Sequence, residues 1–186
     1  MKTISRPAII GLCTAVSLVG IANSPAASAS PIAELSSASP VADISSTADQ
    51  SSAPSISSER TSLQRNATHQ AIIDETNKAR TENGKQELER NDYLTEEAQR
   101  RAEKLAANNE VVHYGLDDIE FGHGLVAENL RGTWDDKIDP QSEVQAWLDS
   151  PEHRKNLLND TFTQIGIGSE LASNDMWHIV ALYSEL

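Results

Sequence analysis

The stretch M-W-H-I-V-A-L-Y, Met176–Tyr183, decides the fold of this chain of 186 residues. Nearly every position is apolar, so both faces of the strand that it predicts are apolar. A half-exposed strand alternates apolar and polar residues, whereas a strand with two apolar faces lies inside a sheet that is covered on both sides. The stretch therefore predicts a sheet with one layer of helices above it and another below.

A second strand precedes this one. The segment I-G-I-G-S-E-L, Ile165–Leu171, alternates its side chains with a period of two, and Ser173–Asp175 supplies turn residues between the two strands. We expect a further short strand within residues 111–139. Because strands joined by a short turn run antiparallel, the predicted central sheet is small and mainly antiparallel.

Two helices are predicted before the strands. In the first, apolar and small residues share one face and Gly84 ends the helix; that face consists of Ile72, Ile73, Thr76 and Ala79. In the second, Thr95 is the expected N-cap. Its buried stripe is predicted to be Leu94, Ala98, Ala102, Leu105 and Ala106, and its water-facing residues Arg100, Arg101, Glu103 and Lys104.

Two more helices are predicted between residues 139 and 158. Asp139 and Pro140 open the third, which turns Val144, Trp147 and Leu148 inward. The fourth reads S-P-E-H-R-K-N-L-L, Ser150–Leu158, with Ser150 as an N-cap that accepts a backbone N–H. We therefore expect an α+β fold, a three-layer α-β-α sandwich with about four helices around the sheet.

The N-terminal third has the composition of export and tether segments. Residues 1–29 carry Lys2 and Arg6, an uncharged apolar run and an A-x-A pattern, which predicts a cleaved signal peptide. Residues 30–62 are rich in Ser, Ala and Pro, which predicts a disordered tether. Residues 63–186 have the size of one small domain. We expect a secreted protein, extracellular or in the cell envelope, with no stable membrane insertion after cleavage.

Charge and cysteine content exclude several functions. The formal net charge is −13, and a strongly acidic protein repels the phosphates of nucleic acids, so nucleic acid is not an expected partner. The acidic charge also favours a monomer. The single cysteine, Cys13, lies in the predicted signal peptide, so the mature chain has neither disulfides nor a thiol nucleophile.

Five histidines are the candidates for chemistry, namely His69, His113, His123, His153 and His178. We expect His69 on the solvated surface and His178 in a structural role. His153 lies in the first helical turn, where the positive end of the dipole disfavours an imidazolium. A neutral imidazole suits a metal ligand, a general base or a buried structural residue, and spacing alone does not choose among them.

From about Ile72 to Tyr183 the chain resembles the CAP superfamily, the domain of cysteine-rich secretory, antigen and pathogenesis-related proteins, in its bacterial extracellular branch. The segments that carry the resemblance are I-I-D-E-T-N-K-A-R, V-V-H-Y, A-E-N-L, V-Q-A-W-L-D-S-P-E-H-R-K-N-L-L, T-F-T-Q-I-G-I-G and the last strand with Trp177. The block W-x-x-S-x-x-H-R-x-N-L-L followed by I-G-I-G is the most specific of these. The resemblance covers most of the predicted domain and none of the tether.

The resemblance implies an α-β-α sandwich with an open cleft. In many members two histidines and two glutamates line this cleft, and some members bind zinc or another divalent cation there. By motif, His113, Glu128 and His153 match three of the four positions, which makes His113 and His153 the expected metal ligands. Ser150 stands where animal members have the other glutamate, with Asp149 or Glu152 as substitutes, and Ala127 replaces the usual glycine. His123, flanked by glycines, is a further cleft candidate that the family pattern does not supply.

Three functions remain open at this point, because a fold alone does not fix function. The first, which we favour, is a secreted binding module whose cleft holds a divalent cation, a small molecule, a lipid or a peptide without turnover. The second is an extracellular peptidase-like hydrolase in which Glu128 or His153 activates a water. The third is a structural cell-envelope protein. A catalytic triad of Ser150, His153 and Asp149 is rejected, because neighbours in sequence rarely give triad geometry.

Overall fold

The structure, a computed structural model, describes residues 15–18, 56–116, 119 and 126–185. Within these residues four helices and five strands form one sheet and the layers around it. The helices are α1 (Ile56–Glu82), α2 (Asp92–Asn108), α3 (Pro140–Asp149) and α4 (Pro151–Leu157). The strands are β1 (Ala15–Leu18), β2 (Glu89–Arg90), β3 (Val126–Thr133), β4 (Gln164–Leu171) and β5 (Trp177–Ser184).

The sheet has the strand order β1-β3-β5-β4-β2. β5 lies at the centre and pairs antiparallel with both β3 and β4 over its whole length, as its two apolar faces predict. β1 pairs antiparallel with β3, while β2 pairs parallel with the first residues of β4. The expected fold class is confirmed, with the difference that this one parallel pair makes the sheet mixed.

Two separate cores fill the space between the sheet and its two helical layers. On one face, α1, α3 and α4 pack on odd-numbered residues of β4 and β5, such as Ile167 and Ile179. On the other face, α2 packs on even-numbered residues of β3 and β5, such as Leu130 and Val180. Since successive residues of a strand point to opposite faces, β3 and β5 each contribute to both cores.

The glycines of the I-G-I-G segment let α2 approach the sheet. A Cβ built on Gly166 lies 2.2 Å from the backbone of Leu94, and one on Gly168 lies 2.2 Å from the backbone of Ala98. Real Cβ atoms do not come so close, so only glycine fits these two positions. The segment therefore presents isoleucines to α1 and a smooth backbone surface to α2.

A buried arginine fastens α1 to the segment that follows α4. The guanidinium of Arg80 donates hydrogen bonds to the carbonyl oxygens of Gln86, Leu157 and Asn159 at 2.7, 2.7 and 3.0 Å. The side chain is fully buried, and each bond satisfies a carbonyl that the end of a helix or a loop leaves unpaired. This arrangement fixes the position of α4, which carries His153.

The helix ends differ from the sequence predictions at three places. α2 is capped by Asn91, whose side chain accepts from the backbone N–H of Leu94, and not by Thr95. Thr95 instead donates its hydroxyl to the carbonyl of Asn91, one turn earlier. Ser150 does occupy the N-cap position of α4, but its side chain makes no capping bond. α1 begins at Ile56, so the last residues of the stretch assigned to the tether are helical.

Other expectations hold. The buried residues of α1 lie on the predicted face, and Gly84 follows the helix with a φ of 71°. The turn between β4 and β5 includes Asp175 with a φ of 64°, in the left-handed region that Asp tolerates. β3 is the strand expected within residues 111–139. Within the described residues, no helix has the length and apolar character that crossing a bilayer requires.

Candidate ligand-binding site

Glu128 of β3 is the centre of the candidate site. Its even number in the strand turns the side chain toward α2, on the same face as Val126 and Leu130. The carboxylate is only 2% exposed. A buried carboxylate needs charged or hydrogen-bonding partners, because leaving it unpaired costs several kilocalories per mole.

Two side chains satisfy this carboxylate, one at each oxygen. Nη1 of Arg101, in α2, donates to Oε2 at 3.3 Å. Nδ1 of His113, in the segment after α2, lies 2.5 Å from Oε1. Arg101 is 3% exposed and the His113 side chain 9%. The three residues form one buried chain from guanidinium through carboxylate to imidazole, which we call the Arg101–Glu128–His113 relay.

The relay sets the tautomer of His113. An ionised carboxylate only accepts hydrogen bonds, so the Nδ1 atom facing it carries a proton. In the neutral ring, Nε2 is then an acceptor with a lone pair. Nε2 is buried, and within the described residues it is the acceptor of the relay that has no hydrogen-bond partner.

Arg101 corrects a sequence prediction. It was expected to face water but is buried against Glu128. The sequence did contain a signal for this, since Arg101 is three residues after Ala98 and four before Leu105, both in the buried stripe of α2. A cation on a buried helical face predicts a buried anionic partner.

His153 reaches β3 from the other side of the sheet. Asn129 points away from Glu128, and its Nδ2 donates to the backbone carbonyl of His153 at 3.1 Å. Asn156 Nδ2 donates in turn to Asn129 Oδ1 at 3.0 Å. The structure thus brings His113 and Glu128 together. His153 is fully buried and lies next to Asn129, on the opposite face of the sheet from Glu128. Asn129 and Asn156 together tie α4 to β3.

Neither Asp149 nor Glu152, the two substitutes for the fourth family position, turns its carboxylate inward. Asp149 accepts from Gln145 Nε2 at 2.8 Å on the exposed side of α3. Glu152 is exposed, and Ser150 lies at the junction of α3 and α4. Arg154, near by, donates to the carbonyl of Leu148 and to Asn83 Oδ1, as a structural residue does. His123 lies outside the described residues.

The described residues do not make up a cation site. No three His, Cys, Asp or Glu side chains come together within them, whereas a zinc site uses three or four such ligands. The Glu128 carboxylate is already held by a cationic guanidinium, which opposes a second cation at the same oxygens. His113 Nε2 is one suitable donor, backed by a carboxylate as metal-bound histidines are, but one donor does not fit zinc. No step is therefore assigned to a metal.

Two further histidines are buried away from the relay. His69, expected on the surface, is 2% exposed because α1 packs on β4, and its Nε2 lies 2.9 Å from Ser169 Oγ. Burial, with smaller contributions from Arg65 and Arg90, lowers the pKa of His69 to about 4. Burial also lowers the pKa of His178, in β5. Both rings are neutral at pH 7, and for His178 the structural role that we expected remains a prediction.

Comparison with known proteins gives the family. The profile of the cysteine-rich secretory protein family, CAP, matches residues 73–183. The chain belongs to the CAP family. The match includes His113, Glu128 and His153, and it covers the sheet except β1 and the last residue of β5, together with all helices other than the first part of α1.

Two bacterial proteins resemble it in sequence. The chain is 31% identical over 122 residues to the uncharacterized membrane protein YlbC of Bacillus subtilis, and 27% identical over 120 residues to the uncharacterized protein YkwD of the same organism. These matches cover 61% and 60% of this chain but only 34% and 45% of the relatives. The chain thus spans less than half the length of either relative.

Two solved bacterial structures resemble it in fold. An outer surface protein of Borrelia burgdorferi has a TM-score of 0.53 at 25% identity, covering 62% of this chain and 90% of that protein. An extracellular protein of Bacillus anthracis that contains an SCP domain has a TM-score of 0.55 at 25% identity, covering 70% of this chain and 44% of that protein. Both neighbours are described as surface or extracellular proteins.

Proposed function

We propose that this CAP protein is an extracellular binding module that holds its ligand at His113, without turnover. The observation that carries the proposal is the relay, in which both Glu128 oxygens are paired while His113 Nε2 is without a partner among the described residues. A buried acceptor in a native protein calls for a partner. A ligand that donates an N–H or O–H supplies it.

The signal-peptide features of the sequence and the descriptions of the structural neighbours support the extracellular part of this proposal. Residues 1–29 have the features of a signal peptide, and the structural neighbours are described as outer surface and extracellular proteins. The tether predicted after the signal peptide would hold the domain away from the envelope. The absence of cysteine from residues 30–186 removes any dependence on disulfide formation after export.

Binding is favoured over hydrolysis by what surrounds His113. In many hydrolytic sites a histidine acts as the base and a carboxylate orients its ring. The same pair occurs here, which is why a hydrolase is the second candidate. Such a site also needs a nucleophile or a positioned water near the free nitrogen. Among the described residues no hydroxyl lies within hydrogen-bond distance of His113 Nε2.

The test is nuclear magnetic resonance of the full chain with labelled histidine rings. Two probes are titrated separately, an equimolar mixture of short synthetic peptides and phosphatidylglycerol vesicles, and zinc chloride serves as the negative control because one histidine does not make a zinc site. We expect one probe to shift the His113 ring signals, and we expect His113→Ala to lose its binding. His69→Gln is the matched control, since His69 is buried elsewhere, and should keep it. If no probe affects His113, or if His113→Ala binds as the unmodified chain does, the proposal is wrong.

Hydrolysis is tested with the same peptide mixture by mass spectrometry. Cleavage by the unmodified chain that disappears in Glu128→Gln would replace binding by the second candidate function. Absence of cleavage in both proteins is the expected result.

A further inference from the structure

The outer edge of β3 is occupied by the chain's own residues 15–18. β1 pairs with it antiparallel over four residues, with Ala15 opposite Asn129 and Leu18 opposite Val126. Among the described residues, β1 is the strand that covers this edge. An uncovered edge presents unpaired N–H and C=O groups, which readily accept another strand.

The occupant lies in a segment that export is predicted to remove. The sequence of β1 is A-V-S-L, with no charge, and it falls within the predicted signal peptide of residues 1–29. Cleavage after this segment would take β1 away and leave Val126–Asn129 of β3 with an open edge. β3 would still be held in the sheet by eight residue pairs with β5.

The same edge runs past the relay. Val16 stands opposite Glu128 in the register, and Ser17 stands opposite Ala127. Since Glu128 and Asn129 point to opposite faces, a strand here has the relay on one face and α4 with His153 on the other. α4 itself lies against β1. A strand on this edge is therefore next to the relay, whose acceptor, His113 Nε2, has no partner within the described part of the chain.

We infer that the outer edge of β3 is a docking site for an extended, uncharged peptide, which the leader strand fills in the precursor and which leader removal opens. The inference rests on the proposed binding function of the His113 site, for which it names the ligand class. Strand addition at an open edge is an established way to bind peptides, with backbone hydrogen bonds supplying affinity. Pairing of two copies through this edge is disfavoured by the net charge of −13.

The experiment uses full chains made in a cell-free system, so that the leader is retained. The probe is a fluorescein-labelled peptide with the sequence A-V-S-L between ethylene glycol linkers. Val16→Pro should weaken the pairing of β1 with β3, because proline cannot donate a backbone hydrogen bond and fits poorly in a paired strand. Ala22→Pro, four residues after the end of β1 in the sequence, is the matched control.

We expect the Val16→Pro chain to bind the peptide about tenfold more tightly, or better, than the unmodified chain and Ala22→Pro, because the competing strand is lost. A peptide of the same sequence with every backbone nitrogen methylated should bind about tenfold more weakly, or worse, because it cannot donate to β3. Equal affinity of the three chains, or of the two peptides, would overturn the inference. So would sedimentation that shows Val16→Pro forming dimers and not binding the peptide.

A His113→Ala substitution in the Val16→Pro chain separates this inference from the proposed function. If the peptide still binds and still requires its backbone N–H groups, the β3 edge is correct and the role of His113 is wrong. If binding depends on His113 but not on the backbone N–H groups, the His113 site is correct and the edge is wrong.

Discussion

Arg101 Nη1 lies 3.3 Å from Glu128 Oε2, and each of the two side chains is at most 3% exposed. This ion pair connects α2 to β3 inside the protein, and it leaves one carboxylate oxygen for His113. The desolvation of two buried charges offsets much of their attraction. The pair therefore serves mainly to position the imidazole of His113 and adds little net stability. Removing one partner should change both the position of the imidazole and the free energy of unfolding.

Replacing Glu128 by Gln should lower the free energy of unfolding by about 3–5 kcal/mol, because the buried guanidinium of Arg101 loses its ion pair with the Glu128 carboxylate. Urea denaturation followed by circular dichroism measures this. The matched control is Glu170→Gln, which breaks the half-exposed pair with Arg65 and should cost about 1 kcal/mol or less. Equal losses in the two variants would contradict a buried ion pair.

The double variant Arg101→Met/Glu128→Gln should be more stable than the sum of the single losses predicts. Removing both charges removes the buried ion pair as a whole, whereas each single substitution leaves one buried charge that has lost this partner. A double-mutant cycle on urea denaturation gives the coupling free energy, which we expect to be about 2 kcal/mol or more. A coupling energy near zero would mean that Arg101 and Glu128 act independently.

The ring of His113 should be protonated at Nδ1 in its neutral form. Nitrogen-15 chemical shifts distinguish the two tautomers and measure this directly. Glu128→Leu replaces the carboxylate with an apolar side chain. In this variant the preference for the Nδ1–H form should be lost. An Nε2–H tautomer in the unmodified chain would remove the basis for assigning Nε2 as the ligand acceptor.

Gly168→Ala should lower the free energy of unfolding by about 3 kcal/mol or more, because its Cβ meets the backbone of Ala98 and α2 has to move. Gly84→Ala is the control. Its Cβ meets no atom within 4 Å, and the positive φ alone should cost about 1 kcal/mol. If Gly168→Ala were as stable as Gly84→Ala, the close approach of α2 to β4 would be wrong.

Acid should destabilise the protein through His69. Burial holds its pKa at about 4 in the folded protein, against 6.5 as the ordinary value. Between these values the unfolded chain binds the proton and the folded one does not, so stability falls as pH drops from 6.5 to 4. This histidine accounts for about 3 kcal/mol of that loss.

His69→Gln keeps a donor and an acceptor for Ser169 but does not titrate in this range. Its unfolding free energy should therefore fall less steeply between pH 6.5 and 4 than that of the unmodified chain. Urea denaturation at several pH values compares the slopes. Parallel slopes would show that His69 is accessible to protons in the folded state.

The periodic elements could be predicted because their signals are local. The alternation of side chains with a period of two predicted β4, and the two apolar faces of β5 predicted its place at the centre of the sheet. The spacing of the apolar residues predicted the helices. The two-residue strand β2 and the Asn91 cap were not predicted. A pair as short as Glu89–Arg90 has no period to detect, and Asn91 and Thr95 are equally good caps until packing selects one.

Local patterns in the sequence predicted the layered α-β-α fold, and the resemblance carried by the segments V-V-H-Y and A-E-N-L indicated His113 and Glu128. Which groups meet follows only from the tertiary structure. It placed Arg101 against Glu128, turned His153 to the opposite side of β3 by way of Asn129, and buried His69 under α1. The reason is that periodicity records whether a residue faces the core, whereas the partner of a buried polar group depends on residues distant in the chain that packing brings within hydrogen-bond distance.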